Sequence, residues 1–208
     1  MEVDWNVRYL EANTPWDSGI PSQELLKFLE EGLISPCRML ELGCGTGTNA
    51  IFLARQGFDV TAVDLSEEAL RQARGKAEKA GVTINFIQAD LTKPIELGEP
   101  FPFVFDRGTY HICRQIDLPA FRTLISKVVA RDGLYIVLAG NANERSLGEE
   151  GPPKVRAHDL CRELEGNDFD LLSLRETQFH GVKVENRTIE PLAWAAILKH
   201  RGVGPVRD

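Results

Sequence analysis

The chain has little of what marks a specialised architecture. Its four cysteines, Cys37, Cys44, Cys113 and Cys161, include no C-x-x-C pair, so neither a zinc site nor a disulfide framework is indicated. Reduced, buried thiols are the expectation. His111, His158, His180 and His200 show no metal-ligand spacing, and His158 with Cys161 supplies two ligands, which do not make a site; no metal is expected. No apolar run approaches membrane-spanning length, and the acidic, Trp-bearing N-terminus does not read as a secretory signal. Lys and Arg number 24 against 31 Asp and Glu, a net charge of −7, so the basic face that nucleic acid requires is not expected. Repeats, low-complexity blocks and interdomain linkers are absent as well. What is left is 208 residues, 43% hydrophobic and 26% charged, enough for one domain with its own core. These features read as a cytoplasmic protein, monomeric or weakly dimeric, with neither a membrane nor a nucleic-acid partner.

What is present concentrates between Met39 and Asp64, MLELGCGTGTNAIFLARQGFDVTAVD. Met39, Leu40 and Leu42 form an apolar run short enough for a buried strand. Gly43-Cys44-Gly45-Thr46-Gly47 then demands a sharp turn with its backbone close to something. Asn49 to Gln56 has apolar residues at helical spacing, with Gly57 at the stop. Phe58 to Val63 reads as a second strand, and Asp64 ends it. Strand, glycine turn, helix and acid-tipped parallel strand make a mononucleotide-binding βαβ half. A dinucleotide fingerprint needs G-x-G-x-x-G, but Thr48 or Ala50 stands where the third glycine belongs. A carboxylate, Glu41, stands two residues before the first glycine; it would repel a pyrophosphate and suits a cationic ligand carrying an ammonium and a sulfonium.

The rest of the chain alternates in the same way. A first segment, residues 1–22, is dense in aromatics (Trp5, Tyr9, Trp16) and reads either as a hydrophobic strap or as a lid whose ring faces attract a sulfonium. Helices are expected over Gln23–Leu33 with Ser22 as N-cap, from Ser66 to Ala80 with Gly81 as stop, from Asp117 or Leu118 to Ala130, and around His158–Glu163. Strands are expected over Val82–Ala89, Phe101–Phe105, Leu134–Ala139, Phe169–Glu176 and Thr188–Leu198. Asp90, after the third strand, reads equally as a base contact or as a turn cap. Asp106 to His111 follows the fourth strand, where open α/β sheets bind ligands; Tyr110 and His111 either line an acceptor pocket or pack a helix start. Gly140–Ala157 is polar, Gly/Pro-rich and aperiodic, and reads as a substrate-side flap. The domain proper is placed at 23–200, with 201–208 as a frayed tail.

E-L-G-C-G-T-G followed by the acid of V-D-L-S resembles the first motifs of the class I S-adenosylmethionine (SAM) dependent methyltransferases. The arm W-x-x-x-Y-x-x-x-x-T-P-W-D-x-G, with the Asp90-Leu91 step and F-D-R-G, is similar to the thiopurine, halide/thiol and tellurite methyltransferase superfamily. That resemblance implies a Rossmann-like, doubly wound, seven-stranded sheet of order 3-2-1-4-5-7-6 with strand 7 antiparallel. It implies SAM as cofactor, S-adenosylhomocysteine as product, and methyl transfer to a small soft nucleophile: a thiol, halide, selenium or tellurium species, or thiopurine. Methylation of another small molecule (phenol, amine or carboxylate) and a non-catalytic SAM-binding module remain alternatives. Carried over position by position, it implies cofactor contacts at Trp5, Tyr9, Trp16, Leu42, Gly43, Asp64, Asp90, Leu91 and Arg107, and, within the same motifs, at Glu41, Cys44, Gly45, Gly47, Leu65 and Asp106. Asp64 would accept from both ribose hydroxyls and Asp90 from the adenine amino group. Arg107 would ionise the acceptor or hold the methionine carboxylate, with Tyr110 and His111 beside the acceptor. The absence of [D/N]-P-P-[F/Y/W] after the fourth strand disfavours a nucleic-acid base as acceptor.

Overall fold

In the computed structural model, which describes residues 3–147, 151–166, 168–184 and 187–202, the alternating pattern becomes an α/β fold. The strands are β1 (Arg38–Leu42), β2 (Asp59–Asp64), β3 (Asn85–Gln88), β4 (Phe101–Arg107), β5 (Val129–Gly140), β6 (Phe169–Gln178), β7 (Val182–Val184), β8 (Arg187–Ile189) and β9 (Leu192–His200). The helices are α1 (Trp5–Leu10), α2 (Gln23–Glu30), α3 (Thr48–Arg55), α4 (Glu67–Ala80), α5 (Tyr110–Val128) and α6 (Ala157–Leu164). A seven-stranded sheet has the order β3-β2-β1-β4-β5-β9-β6, and β7-β8 is a separate hairpin. This is the expected 3-2-1-4-5-7-6 order, with β9 as the seventh strand, antiparallel to both β5 and β6. No helix among the described residues is long and apolar enough to cross a membrane. The chain divides into two compact units, Met1–Asp90 with Phe179–Glu190 and Leu91–Gln178 with Pro191–Asp208.

In the first unit β1 and β2 run parallel, with Leu42 opposite Val63. The turn after β1 and the acid ending β2 therefore emerge at the same strand ends, and the Cys44 amide donates to the Val63 carbonyl at 2.9 Å. Met39, Leu40, Leu42, Val60, Ala62 and Val63 are buried, as strands covered on both faces must be. Helix α4 is the most explicitly encoded element. Ser66 accepts from the Ala69 amide at 3.1 Å, Glu67 and Glu68 face the positive end of the dipole, and Gly81 closes the helix at φ +68°. Three expectations need correcting. Helix α2 stops at Glu30 instead of Leu33, because Gly32 takes the left-handed conformation and Leu33 N–H returns to the Phe28 carbonyl. Ser22 stands at its N-cap without a side-chain cap bond; its amide donates instead to Asn49 Oδ1 at 2.9 Å. Edge strand β3 is also shorter than its alternating stretch, pairing with β2 from Asn85 to Gln88.

In the second unit β4 and β5 are parallel, with Asp106 opposite Val137. Helix α5 begins at Tyr110, seven residues before the expected start, and bends at Asp117, whose backbone is non-helical. The local signal was real but marks the second half: Asp117 Oδ1 accepts from the Ala120 amide at 2.9 Å. The single strand expected over Thr188–Leu198 is interrupted at Glu190-Pro191, leaving β8 in the hairpin and β9 in the sheet. Of the expected flap, residues 148–150 lie outside the described residues. Its flanks are fixed: the Val155 amide donates to the Gly140 carbonyl, and Glu144 accepts from the Leu192 amide. Most of the expected tail, residues 203–208, also lies outside the described residues.

Candidate functional site

In the first unit the glycine turn is the centre. Gly45 and Gly47 have φ of +54° and +79°, a region that costs other L-residues about 1–2 kcal/mol. A Cβ on Gly45 would meet the Tyr9 hydroxyl at 2.8 Å, and one on Gly47 would meet Ala73 Cβ at 3.0 Å. The backbone is thus approached closely from two sides, as the spacing of the glycines implies.

Asp64, 7% exposed, braces this turn. Its Oδ2 accepts from the Gly45 amide at 2.7 Å and its Oδ1 from the Ser66 amide at 2.9 Å. Burial raises its pKa, against the lowering effect of these hydrogen bonds. The Leu65 amide acts on the same carboxylate in the same sense. Leu65 beside it is 48% exposed, an apolar shelf on the surface. Ala89 N–H donates to the Asp64 carbonyl at 3.0 Å, which brings the half-buried Asp90 to the same strand ends. Glu41 is 2% exposed, and its Oε1 accepts from Asn49 Nδ2 at 3.0 Å. It lies enclosed behind the turn, where Asn49 ties it to the start of α3. Leu42 is fully buried and Cys44 6% exposed; burial, followed by the charges of Glu41 and Asp64, keeps the Cys44 thiol protonated.

The aromatic segment is docked on this turn. Tyr9 is 7% exposed, its hydroxyl accepting from Trp16 Nε1 at 3.2 Å. Trp16 packs edge-on against Trp5, with ring centroids 5.6 Å apart, and against Tyr9 at 6.3 Å. Burial, then the neighbouring Asp64 charge, holds the Tyr9 phenol protonated. The Arg8 guanidinium already lies 4.8 Å from the Trp16 ring centroid, so one face of that ring has its cation. Asn6 Oδ1 accepts from Ser66 Oγ at 3.0 Å and from the Glu68 amide at 2.9 Å, adding a cap to α4.

In the second unit F-D-R-G separates into unlike residues. Asp106 is fully buried; it accepts from the Thr109 amide (2.8 Å), the Tyr110 amide (2.9 Å) and the Tyr135 hydroxyl (3.0 Å). Burial pushes its pKa up to about 7 in spite of those bonds. It holds the start of α5. Tyr110 is likewise fully buried, donating to Glu163 Oε2 at 2.7 Å, as the helix-start packing reading has it. Glu163 also receives Arg114 through Nε (2.8 Å) and Nη2 (2.5 Å), clamping α5 to α6. His111 is 5% exposed, and its Nδ1 accepts from the Gly140 amide at 3.0 Å, which puts the ring proton on Nε2. Burial first, then the charges of Arg107 and Arg114, push its pKa down to about 3. It is a neutral positioned ring. Arg107, half-buried at the end of β4, is the charged residue that the segment contributes.

Residues 39–133 match the model of the family described as a methyltransferase domain. The first unit has the chemistry that SAM would require: glycine backbone at positive φ, a buried acid at the strand end, an apolar shelf and an aromatic cover. The chain is similar to 2-heptyl-1-hydroxyquinolin-4(1H)-one methyltransferase of Mycobacteroides abscessus, 28% identical over 152 residues, 73% of this chain and 66% of that one. It is also similar to probable thiol methyltransferase 2 of Arabidopsis thaliana, 26% identical over 176 residues, 84% of this chain and 76% of that one. Against three other curated relatives the chain spans only 23% to 30% of their length. A solved structure described under the conversion of a disulfide bond into a thioacetal group during echinomycin biosynthesis shares the fold with a TM-score of 0.80. It is 24% identical, over 91% of this chain and 87% of that one.

Sequence reading missed Asn6, Asn49, Arg114, Tyr135 and Glu163, which fix the residues above.

Proposed function

We propose that this chain transfers the methyl group of SAM to a small soft nucleophile, a thiol, halide, selenium or tellurium species or thiopurine, by in-line displacement. The observation that carries the proposal is the state of His111. With Nδ1 engaged by the Gly140 amide and its pKa held at about 3, it is no general base. A nucleophile that needs a base to remove its proton is therefore poorly served by the residue best placed by sequence for that task. A thiol of ordinary pKa near 8.5 is already partly ionised at neutral pH. Halides need no deprotonation at all.

Bound SAM supplies an activated methyl on a sulfonium, so the protein's task is alignment and exclusion of water, worth about 7–11 kcal/mol in favourable cases. Asp64 would hold the ribose, the glycine turn the amino-acid end, and Leu65 with Asp90 the adenine. Trp5, Tyr9 and Trp16 would cover the donor. Arg107 is the cation this reading assigns to the acceptor's anion or to the methionine carboxylate. The Arabidopsis relative named for thiols supports the soft-nucleophile class.

A second reading, methylation of a small-molecule hydroxyl, is favoured by the relative named for a hydroxyquinolone. A panel of thiols, bisulfide, iodide, selenite, tellurite and catechol, scored for S-adenosylhomocysteine release, separates the two. Turnover of the soft nucleophiles alone supports the proposal, and turnover of catechol alone overturns it. SAM binding without turnover of any acceptor would make the chain a non-catalytic module.

A further inference from the structure

The aromatic segment is held to the glycine turn by a polar cluster that neither motif accounts for. Thr46, between the two left-handed glycines, is 2% exposed. Its hydroxyl lies 2.9 and 2.8 Å from the two oxygens of Asp17 and 2.5 Å from Lys76 Nζ. Lys76 Nζ in turn stands 3.8 Å from Asp17 Oδ2. The hydroxyl donates to the carboxylate and accepts from the ammonium, so segment, turn and α4 meet at one oxygen. Two residues earlier, the Pro15 carbonyl accepts from the Lys183 amide of β7 at 2.8 Å.

Beyond this cluster the segment is held by the two hydrogen bonds from α4 to Asn6 and by the buried Tyr9 ring. Val3 before α1 and Val7 and Leu10 on it face outward, 48%, 40% and 63% exposed, and Trp5 and Trp16 are only half-buried. An element fixed by a few polar links and one buried ring belongs to the low-stability end of a fold, which opens without global unfolding. Yet its Tyr9 hydroxyl covers Gly45 so closely that a Cβ there would collide with it.

We propose that Asp17, Thr46 and Lys76 form a latch that holds the segment closed on the glycine turn, and that cofactor exchange waits on its opening. The inference rests on the reading that this turn holds SAM. Asp17 is a positioning residue: it acts on the turn through Thr46. Because the latch joins the segment to the turn itself, closure and cofactor binding are one coupled equilibrium, each strengthening the other.

The test uses the full chain and two readouts. Tryptic cleavage after Arg8, without cofactor, reports how often the segment lifts. Stopped-flow fluorescence of Trp5 and Trp16 reports SAM dissociation. Thr46→Val is expected to speed both by roughly tenfold, since it removes a charge-assisted hydrogen bond while keeping shape. Thr46→Ser, which keeps the hydroxyl, should behave as wild type. Lys76→Met perturbs the latch from the partly exposed α4 side and should shift both rates in the same direction, by less, even if Thr46→Val folds poorly. Wild-type rates in folded Thr46→Val and Lys76→Met overturn the proposal. A wild-type chain that binds no SAM by calorimetry would instead sink the functional reading, and the Arg8 cleavage rates would still decide whether the latch holds the segment.

Discussion

Replacing Asp64 by Asn separates the two tasks assigned to that carboxylate. Within the protein its Oδ2 accepts from the Gly45 amide at 2.7 Å and its Oδ1 from the Ser66 amide at 2.9 Å. An Asn side chain has one oxygen, so its amide group must face one of those two N–H donors. The loss is one hydrogen bond to a charged group, about 1.5–3 kcal/mol, or a fall in Tm of roughly 3–12 °C at 2–4 °C per kcal/mol. Toward the ligand, two ribose hydroxyl bonds of about 0.5–1.5 kcal/mol each are at stake. Their sum, about 1–3 kcal/mol, corresponds to a roughly 5- to 150-fold loss of SAM affinity. The expected outcome is thus a destabilised but folded variant whose SAM and S-adenosylhomocysteine affinities both fall by about tenfold or more in titration calorimetry.

The pH dependence has a definite sign as well. Burial raises the Asp64 pKa above its ordinary value, and only the ionised form accepts freely from both hydroxyls. SAM affinity should therefore decline on acidification at a pH above the ordinary carboxylate range, and Asp64→Asn should lose that decline. A folded Asp64→Asn protein with a lowered Tm and wild-type affinity would refute the reasoning, leaving Asp64 as a brace of the turn and nothing more.

The first unit was legible because its signals are local and agree. Glycines that must take positive φ, a strand too apolar to be exposed, and the Ser66 and Gly81 caps of α4 each lie within a few residues of what they determine. The first half of α5 was not legible. Its start is set by Asp106, three and four residues upstream of the amides it caps, and its His-Ile-Cys-Arg sequence has no clean helical period. The Asp17–Thr46–Lys76 cluster joins residues 29 and 30 positions apart, a proximity no spacing rule encodes. Strand-ending acids show the limit most plainly. Asp64 and Asp106 occupy equivalent places in the pattern, yet one keeps an edge at the surface and the other is enclosed by two amides and the Tyr135 phenol. Sequence gives the acid; only packing decides whether it meets a ligand.

Three further outcomes follow from the packing. Gly45→Ala should cost about 1–2 kcal/mol from its left-handed backbone alone, plus the clash with Tyr9; measured by urea unfolding, the second part should be recovered in the Tyr9→Phe background, where the opposing hydroxyl is gone. Nitrogen-15 NMR of His111 should show an Nε2–H tautomer that does not titrate between pH 8 and pH 5, and a midpoint near 6.5 would contradict its burial. The third concerns stability against pH, where two buried groups oppose each other. Asp106 has a folded pKa of about 7 against an ordinary 3.8, so the folded state holds a proton the unfolded chain has released, and stability falls as pH rises from about 4 to 7. His111 has a folded pKa of about 3 against 6.5, so the unfolded chain gains a proton the folded state refuses, and stability falls as pH drops from about 6.5 toward 3. Between about pH 4 and 6.5 each contributes a slope of about 1.4 kcal/mol per pH unit, with opposite sign, and the two cancel. Removing either should therefore expose the other. Asp106→Asn is expected to gain stability as pH rises across that window, and His111→Gln to lose it. Parallel pH profiles of the urea midpoint in the two variants would show that these groups are not buried as the fold requires.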